Sequence, residues 1–212
     1  MAKDKEGIRL NRVITISREF GCGGWEFGKR LSEKLKIPFY DKELISLSAQ
    51  ETNLSENVFL DYYEQIPVTK ESLEQPLYSP YSPLCEVPMS DQVFVAQSRV
   101  IKQLAEKGAC IIVGRCADRI LEDSINLFVY ADLEQRIKRI SSFYSELTFD
   151  LIESKIRERD QKRKEYYQYY TGCEWGKAQN YHLCFNIGAA GIEACCNAVM
   201  DYLKEQQSEK QN

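Results

Sequence analysis

The sequence predicts an α/β protein in which strands and helices alternate around a parallel sheet. Three features carry that expectation: short β-branched or wholly apolar runs, helical periodicities between them, and glycine, proline or acidic residues at the joints. The 212 residues suit one domain, with 43% apolar and 28% charged side chains. Twenty-eight basic against thirty-two acidic residues give a net charge of −4, so the chain lacks the basic field that holds a nucleic-acid polymer. No apolar run approaches the ~18 residues of a membrane span, and the start from Met1 to Arg12 is polar and mixed in charge, unlike a signal peptide. A cytoplasmic protein with no membrane partner is expected.

The elements follow in order. Arg12 to Ser17 is a short β-branched strand, followed by a glycine cluster and a helix marked by Phe27, Leu31 and Leu35. Ile37 to Tyr40 reads as a second strand, with Asp41 as N-cap of a helix through Gln50. From Asn53 to Pro88 the pattern loosens: Leu60 to Tyr63 reads as helical, while Pro67, Pro76, Pro80, Pro83 and Pro88 mark an irregular surface insert. A helix from Ser90 to Lys107, closed by Gly108, leads into Ala109 to Val113, apolar on both faces as a central parallel strand should be. Gly114-Arg115 ends that strand, and a short helix over Ala117 to Leu121 precedes the strand Asn126 to Tyr130. Asp132 caps a basic helix through Arg139, and a charged helix runs from Phe149 to Lys164. Leu183 to Ile187 is the last strand, Gly191 to Leu203 the closing helix, and Lys204 to Asn212 a polar, frayed tail.

Cysteines at 22, 85, 110, 116, 173, 184, 195 and 196 contain no Cys-x-x-Cys pair, and His182 is the single histidine. That spacing builds no zinc site, so no metal ligand is assigned, and the thiols read as reduced small hydrophobes, Cys110 and Cys184 within apolar runs. One histidine also argues against hydrolases that need a histidine base, and His182 fits a strand or strand edge better than a catalyst.

A glycine-rich turn feeding a helix aims backbone N–H groups at one point and adds the positive helix end, which suits phosphate; a plain tight turn is the other reading. The spacing G-x-x-x-x-G-K-[ST] can be written on Gly23 to Lys29, but Arg30 fails its last position and Phe27 would be exposed. The better register starts the helix at Gly24 or Trp25, buries Phe27, Leu31 and Leu35, leaves Lys29 in solvent, and puts Gly24 in the lysine's place. A second constellation is Gly114-Arg115 with a helix carrying Lys155, Arg157, Arg159, Lys162 and Arg163 beside Asp160. Arg159 and Arg163 are four apart and share a face, a clamp for phosphate oxygens. The interleaved Glu153, Glu158, Asp160 and Glu165 equally permit a self-paired, solvated surface.

In this order the motifs resemble the cytidylate-kinase-like family, a nucleoside monophosphate kinase branch of the P-loop superfamily, from Val13 to about Leu203. The segments that carry the resemblance are Ile-Ser-Arg-Glu-Phe-Gly-Cys-Gly-Gly at 16 to 24, Pro-Phe-Tyr-Asp-Lys-Glu-Leu-Ile at 38 to 45, Ile-Val-Gly-Arg-Cys-Ala-Asp at 112 to 118, and Tyr-Tyr-x-Tyr-Tyr-Thr-Gly-x-x-Trp-Gly at 166 to 176. The resemblance implies a three-layer P-loop NTPase-type fold with a parallel five-stranded sheet, an insert for the nucleoside monophosphate and a helical lid. It divides a single kinase-like domain, 1–212, into a core at 12–50 and 90–206, an insert at 51–89 and a lid at 141–180. It also implies ATP and Mg²⁺ as cofactors and a small nucleotide, CMP first, as acceptor.

Carried over by residue, Gly21, Cys22, Gly23 and Gly24, continuing into Trp25 and Glu26, would cradle the donor phosphates. Arg115 would hold the acceptor phosphate, with Asp41, Asp118 and Tyr166 on the acceptor side. Arg159 matches a lid arginine; Arg163 stands where relatives carry an aspartate, and Tyr166 where they carry a further arginine. The lysine and the following Ser or Thr are absent, Trp25 replaces a usual arginine, Val113 ends its strand where an acid could hold metal, and Cys116 replaces an aspartate. Arg18, Lys29 or Arg30 would supply the missing charge, and Trp25 either stacks on a ligand or packs. Tyr166, Tyr167, Tyr169, Tyr170 and Trp175 form a nucleobase shelf, a packed corner, or a subunit contact of a homodimer. Two further readings stay open: a non-catalytic nucleotide-binding regulator, and a kinase of a non-nucleotide small molecule.

Overall fold

The computed structural model describes residues 10–67 and 87–209. Pro76, Pro80, Pro83 and Cys85 of the expected insert lie outside them. The strands are β1 (Val13–Arg18), β2 (Phe39–Tyr40), β3 (Ile111–Val113), β4 (Ser124–Tyr130) and β5 (Leu183–Asn186). They form one five-stranded sheet in the order β2-β3-β1-β4-β5, and every pairing is parallel. Ile14 at its centre pairs with Ile111 on one side and Ile125 on the other, so β1 is covered on both faces and both edges, which is why its run is apolar throughout.

Successive side chains of the central strands point to opposite faces and seed two cores. Ile14, Ile16, Ile111, Val113, Ile125 and Leu127 meet α1 (Gly24–Leu35) and α9 (Ile192–Glu209) through Phe27, Leu31, Cys195, Val199 and Leu203. Val13, Cys110 and Ile112 meet α2 (Glu43–Glu51), α4 (Met89–Lys107) and α5 (Ala117–Ile120) through Leu44, Val100, Ile101, Leu104 and Ala117. The chain is thus three layers, helix on sheet on helix. α3 (Glu56–Asp61) extends the second layer through Phe59, and α8 (Ile187–Ala190) precedes α9. Two helices, α6 (Leu133–Ser141) and α7 (Phe149–Thr171), cross the carboxyl ends of the strands.

Several boundaries differ from the sequence reading. α7 does not stop at Lys164 but runs to Thr171, because Tyr166 and Tyr167 continue its buried stripe of Ile152 and Ile156, and Gly172 in the left-handed region caps it. α9 continues through Glu209, so Lys204 to Glu209 is helical and not frayed. Asp41 is not the N-cap of α2, whose cap position is Lys42; the Asp41 carboxylate turns toward Arg18 instead. Asp132 sits at the cap position of α6 without capping through its side chain, its Oδ1 accepting from Asn186. Cys184 is exposed on the edge strand β5, not a packed hydrophobe, whereas Cys22, Cys110, Cys116, Cys195 and Cys196 are buried. His182 lies at the sheet edge, its Nδ1 accepting from Asn126 N at 2.9 Å.

Phe27 anchors α1 to the sheet at 0% exposure. Phe27→Ala is expected to lower unfolding stability in urea by ~3–5 kcal/mol; a loss below ~1 kcal/mol would contradict this account of the first core.

Candidate active site

β1 and β3 are adjacent, but β1 connects away to β2 on one side while β3 connects across to β4 on the other. In open parallel sheets such a reversal opens a crevice outside the carboxyl ends of the strands. The glycine loop follows β1 there, and Gly114-Arg115 follows β3.

The loop is shaped for close approach. Gly21 and Gly23 have φ of 79° and 98°, in the left-handed region, and Gly23 is the residue from which α1 starts. A Cβ on Gly21 would meet Ile140 Cδ1 at 2.7 Å, and one on Gly23 would lie 3.3 Å from Arg139 Cζ, so α6 rests directly on the loop. Cys22 is buried, its Sγ 3.5 Å from Val129 O, and burial pushes the thiol pKa up to about 11. At neutral pH it is a protonated filler, and the loop presents its backbone. Trp25 is 54% exposed and touches Phe39 edge-on at 6.0 Å between ring centroids, so its indole does not plug the turn. Lys29 and Arg30 are exposed on the outer side of α1.

Opposite the loop, Gly114, Arg115 and Cys116 have φ of 73°, 59° and 55°. Two consecutive non-glycine residues in the left-handed region store strain of the kind that collects at working sites. This turn directs Arg115 into a cavity lined by Arg18, Glu64, Arg163 and Tyr166. The Arg115 Cζ lies 3.5 Å from the Tyr63 ring centroid, a cation–π contact, while its buried Nη1 has no hydrogen-bond partner in the protein. Arg163 donates from Nη1 to Arg18 O at 2.9 Å and pairs through Nε with Glu64 Oε1 at 3.1 Å. Burial, then the neighbouring Arg18, pull the Arg163 guanidinium below its ordinary pKa, and Glu64 acts the other way. For Arg18 burial also opposes the charge, but Tyr63, Asp41 and Glu64 outweigh it, and the pKa is raised. Asp41 Oδ1 lies 3.4 Å from Arg18 Nη2. Tyr166 is buried at the cavity wall, its hydroxyl pKa raised chiefly by burial.

The structure therefore brings Arg18, Asp41, Arg115, Arg163 and Tyr166 together and sets Gly21 to Glu26 beside them. It does not bring in two residues of the sequence reading. Arg159 is exposed, off the inward stripe of α7, and does not share the position of Arg163 despite the four-residue spacing. Asp118 is buried in the first turn of α5, where its Oδ2 accepts from the Tyr167 hydroxyl at 2.6 Å, and burial raises its pKa.

Four residues went unforeseen: Tyr63, Glu64, Arg136 and Arg139. Glu64 stands in an irregular stretch, and its own φ of 55° is invisible to periodicity. Arg136 and Arg139 read simply as a basic helix. In the structure Arg136 Nη1 pairs with Asp160 Oδ2 at 2.5 Å and donates to Phe20 O at 3.3 Å, while the other Asp160 oxygen accepts from Phe20 N at 2.7 Å. Arg139 pairs with Glu26 at 2.7 Å over the glycine loop. The tyrosines form a packed corner: Tyr170 stacks on Phe94 at 3.9 Å and Trp175 meets Phe128 edge-on at 5.5 Å.

Residues 13–189 match the model of the cytidylate kinase-like family. The chain belongs to this family. Solved structures share its fold. An uncharacterized protein from Eubacterium ventriosum ATCC 27560 aligns over 91% of this chain and 98% of its own, with TM-score 0.68 and 24% identity. A shikimate kinase from Bacteroides thetaiotaomicron gives TM-score 0.54 at 14% identity over 91% of this chain and 98% of that one. A gluconokinase from Sinorhizobium meliloti 1021 gives 0.55 at 13% over 96% and 99%. At these identities the likeness is one of fold. No curated protein matches the sequence. Among the described residues of this cytidylate kinase-like chain, no helix is long and apolar enough to cross a membrane.

Removing Glu64 leaves Arg163 buried beside Arg18 without its carboxylate. Glu64→Ala is expected to cost ~3 kcal/mol in urea unfolding, and Glu64→Gln less. A loss under ~1 kcal/mol for the alanine variant would show that the cluster does not need this partner.

Proposed function

We propose that this chain is an ATP-dependent phosphotransferase whose acceptor is a small phosphorylated molecule, with CMP the first nucleotide to try. Family membership supports a small-molecule kinase. The observation that carries the finer reading is Arg115: a buried guanidinium nitrogen without a partner, flanked by Arg18 and Arg163, beside a glycine loop. An unsatisfied buried donor of this kind costs ~1–3 kcal/mol or more, which an anionic ligand would recover.

In the reaction an acceptor oxygen forms a bond to the γ-phosphorus of ATP while the bond to the β–γ bridging oxygen breaks, and that electron pair leaves with ADP. A phosphate monoester oxygen attacks as the anion, so no general base is required. The protein's work is then alignment and neutralisation. The loop amides of Gly21 to Gly24 suit the donor phosphates, and Arg115, with Arg163, suits the acceptor phosphate. The cleft that opens from Gly21 and Cys22 past Lys138 and Arg139 toward Ile187 and Glu193 offers room for the rest of the donor. Among the described residues no group of three or more His, Cys, Asp or Glu side chains could hold a metal, and Glu26 is paired to Arg139 and Arg30. Mg²⁺, when bound with ATP, would neutralise charge on the donor phosphates, and the loop amides of Gly21 to Gly24 would hold those phosphates in place. In the same reading 51–89 is the acceptor-side insert and 141–180 the lid, which carries Arg163 into the site and leaves Arg159 exposed.

One observation favours the non-catalytic alternative: the Asp160 carboxylate already occupies the Phe20 N–H at the start of the loop. A non-nucleotide acceptor is the third reading, supported by a fold shared with proteins described as shikimate kinase and gluconokinase.

The test is ADP release with ATP and Mg²⁺ across nucleoside monophosphates, shikimate and gluconate, beside thermal shift with ATP alone. Turnover with a phosphorylated acceptor is expected, and Arg115→Ala should lower kcat/KM for it by ~30- to 1,000-fold, the worth of a contact of ~2–4 kcal/mol. ATP stabilisation without turnover on any acceptor would favour the regulator, and turnover on an unphosphorylated acceptor the third reading.

A further inference from the structure

The loop departs from the spacing G-x-x-x-x-G-K-[ST] at positions 18, 24 and 25, and the first two departures are linked. In the register fixed by the start of α1, position 24 is the lysine's and position 18 is that of the first glycine. This chain has them the other way round: arginine at 18 and glycine at 24.

The structure explains why the two changes belong together. A Cβ on Gly24 would lie 2.8 Å from Arg18 Cβ and 3.0 Å from Arg18 Cγ, with Val129 Cγ2 also at 3.0 Å. The Val129 methyl can give by a few tenths of an ångström. The Cβ of Arg18 moves only with the backbone, and its Cγ moves only by a change of χ1 rotamer. Any side chain at 18 and any side chain at 24 therefore compete for one space. The far end of Arg18 also lies against a glycine, since a Cβ on Gly114 would overlap its guanidinium, and Gly114 itself has a φ of 73°. Arg18 is thus threaded between two glycines, from the loop after β1 to the strained turn that carries Arg115, with Asp41 on its Nη2 and Arg163 on its carbonyl oxygen.

We infer that the cation and the glycine of the phosphate loop have exchanged places, so that Arg18, delivered by the end of β1, is the catalytic charge that contacts the phosphoryl group in transfer. This rests on the kinase reading above. A lysine at a helix start is a mobile point charge, whereas Arg18 is a planar fork held on its stem by packing. It lies between the donor loop and the acceptor arginine, where charge gathers on a phosphoryl group passing from one to the other.

The experiment compares wild type with Arg18→Gln, Gly24→Lys and the reciprocal double variant Arg18→Gly/Gly24→Lys. The readouts are urea unfolding without ligand, ATP affinity by calorimetry, and ADP release. Arg18→Gln keeps the stem and is expected to fold, yet to lose ~100-fold or more in kcat. Gly24→Lys alone should unfold at lower urea than wild type. The double variant should regain much of that ligand-free stability, bind ATP at least as tightly as Arg18→Gln, and recover turnover at least ~10-fold over it. Turnover of Arg18→Gln equal to wild type overturns the inference while leaving the kinase reading intact. A double variant no more stable than Gly24→Lys overturns the exchange. Wild type that neither binds ATP nor releases ADP overturns the kinase reading, and with it this assignment of Arg18.

Discussion

The site depends on keeping positive charge concentrated at the carboxyl end of a parallel sheet. Arg18 and Arg163 are largely removed from water and one donates to the backbone oxygen of the other, while Arg115 lines the same cavity. Like charges this close repel by several kcal/mol at the effective dielectric of a protein interior. The fold meets that demand with carboxylates drawn from separate elements: Asp41 after β2, Glu64 after α3, and, on the loop side, Asp160 of α7 for Arg136. Each acid also ties its element to the sheet, so charge balance and tertiary assembly are one problem. The carboxylates leave Arg115 Nη1 without a partner, and the strained turn at 114–116 keeps it aimed inward.

Much of the fold was legible because the central strands are buried on both faces. Val13 to Ile16, Ala109 to Val113 and the β4 run are apolar for that reason, and the glycine loop and Gly114-Arg115 mark where the crevice lies. What was illegible depended on long-range pairing. Asp41 looks like a helix cap in sequence, and only the approach of β1 makes it the partner of Arg18. The charged helix α7 carries both of the readings its sequence allowed. Glu153–Arg157 and Glu158–Lys162 are solvated pairs four residues apart, whereas Asp160 and Arg163 turn inward. Only a tertiary frame separates them, and the same frame leaves Arg159 outside. Arg136 and Arg139 offered a faint signal, two arginines on one side of a helix that follows the strand next to β1.

The tyrosine corner has a structural reason as well. Tyr167 satisfies the buried Asp118, and Tyr170 both stacks on Phe94 and donates to Asp91 at 2.8 Å, so α7 is fastened to α4 and α5 by rings whose polar tips are occupied. A helix pinned this way is a rigid reference for the arginine it carries.

The pinning falls unevenly along the rod. From Asp160 to Tyr170 α7 is bolted to the loop after β1, the cavity and the neighbouring layer, while Phe149 and Leu151 near its other end protrude into water. Asp160 stands at the midpoint of α7, and the half before it keeps the buried Ile152 and Ile156 as its hold on the fold. Losing the carboxylate from Phe20 N removes the polar anchor nearest that half, and any slack is greatest at the greasy tip some fifteen ångströms away at ~1.5 Å per residue.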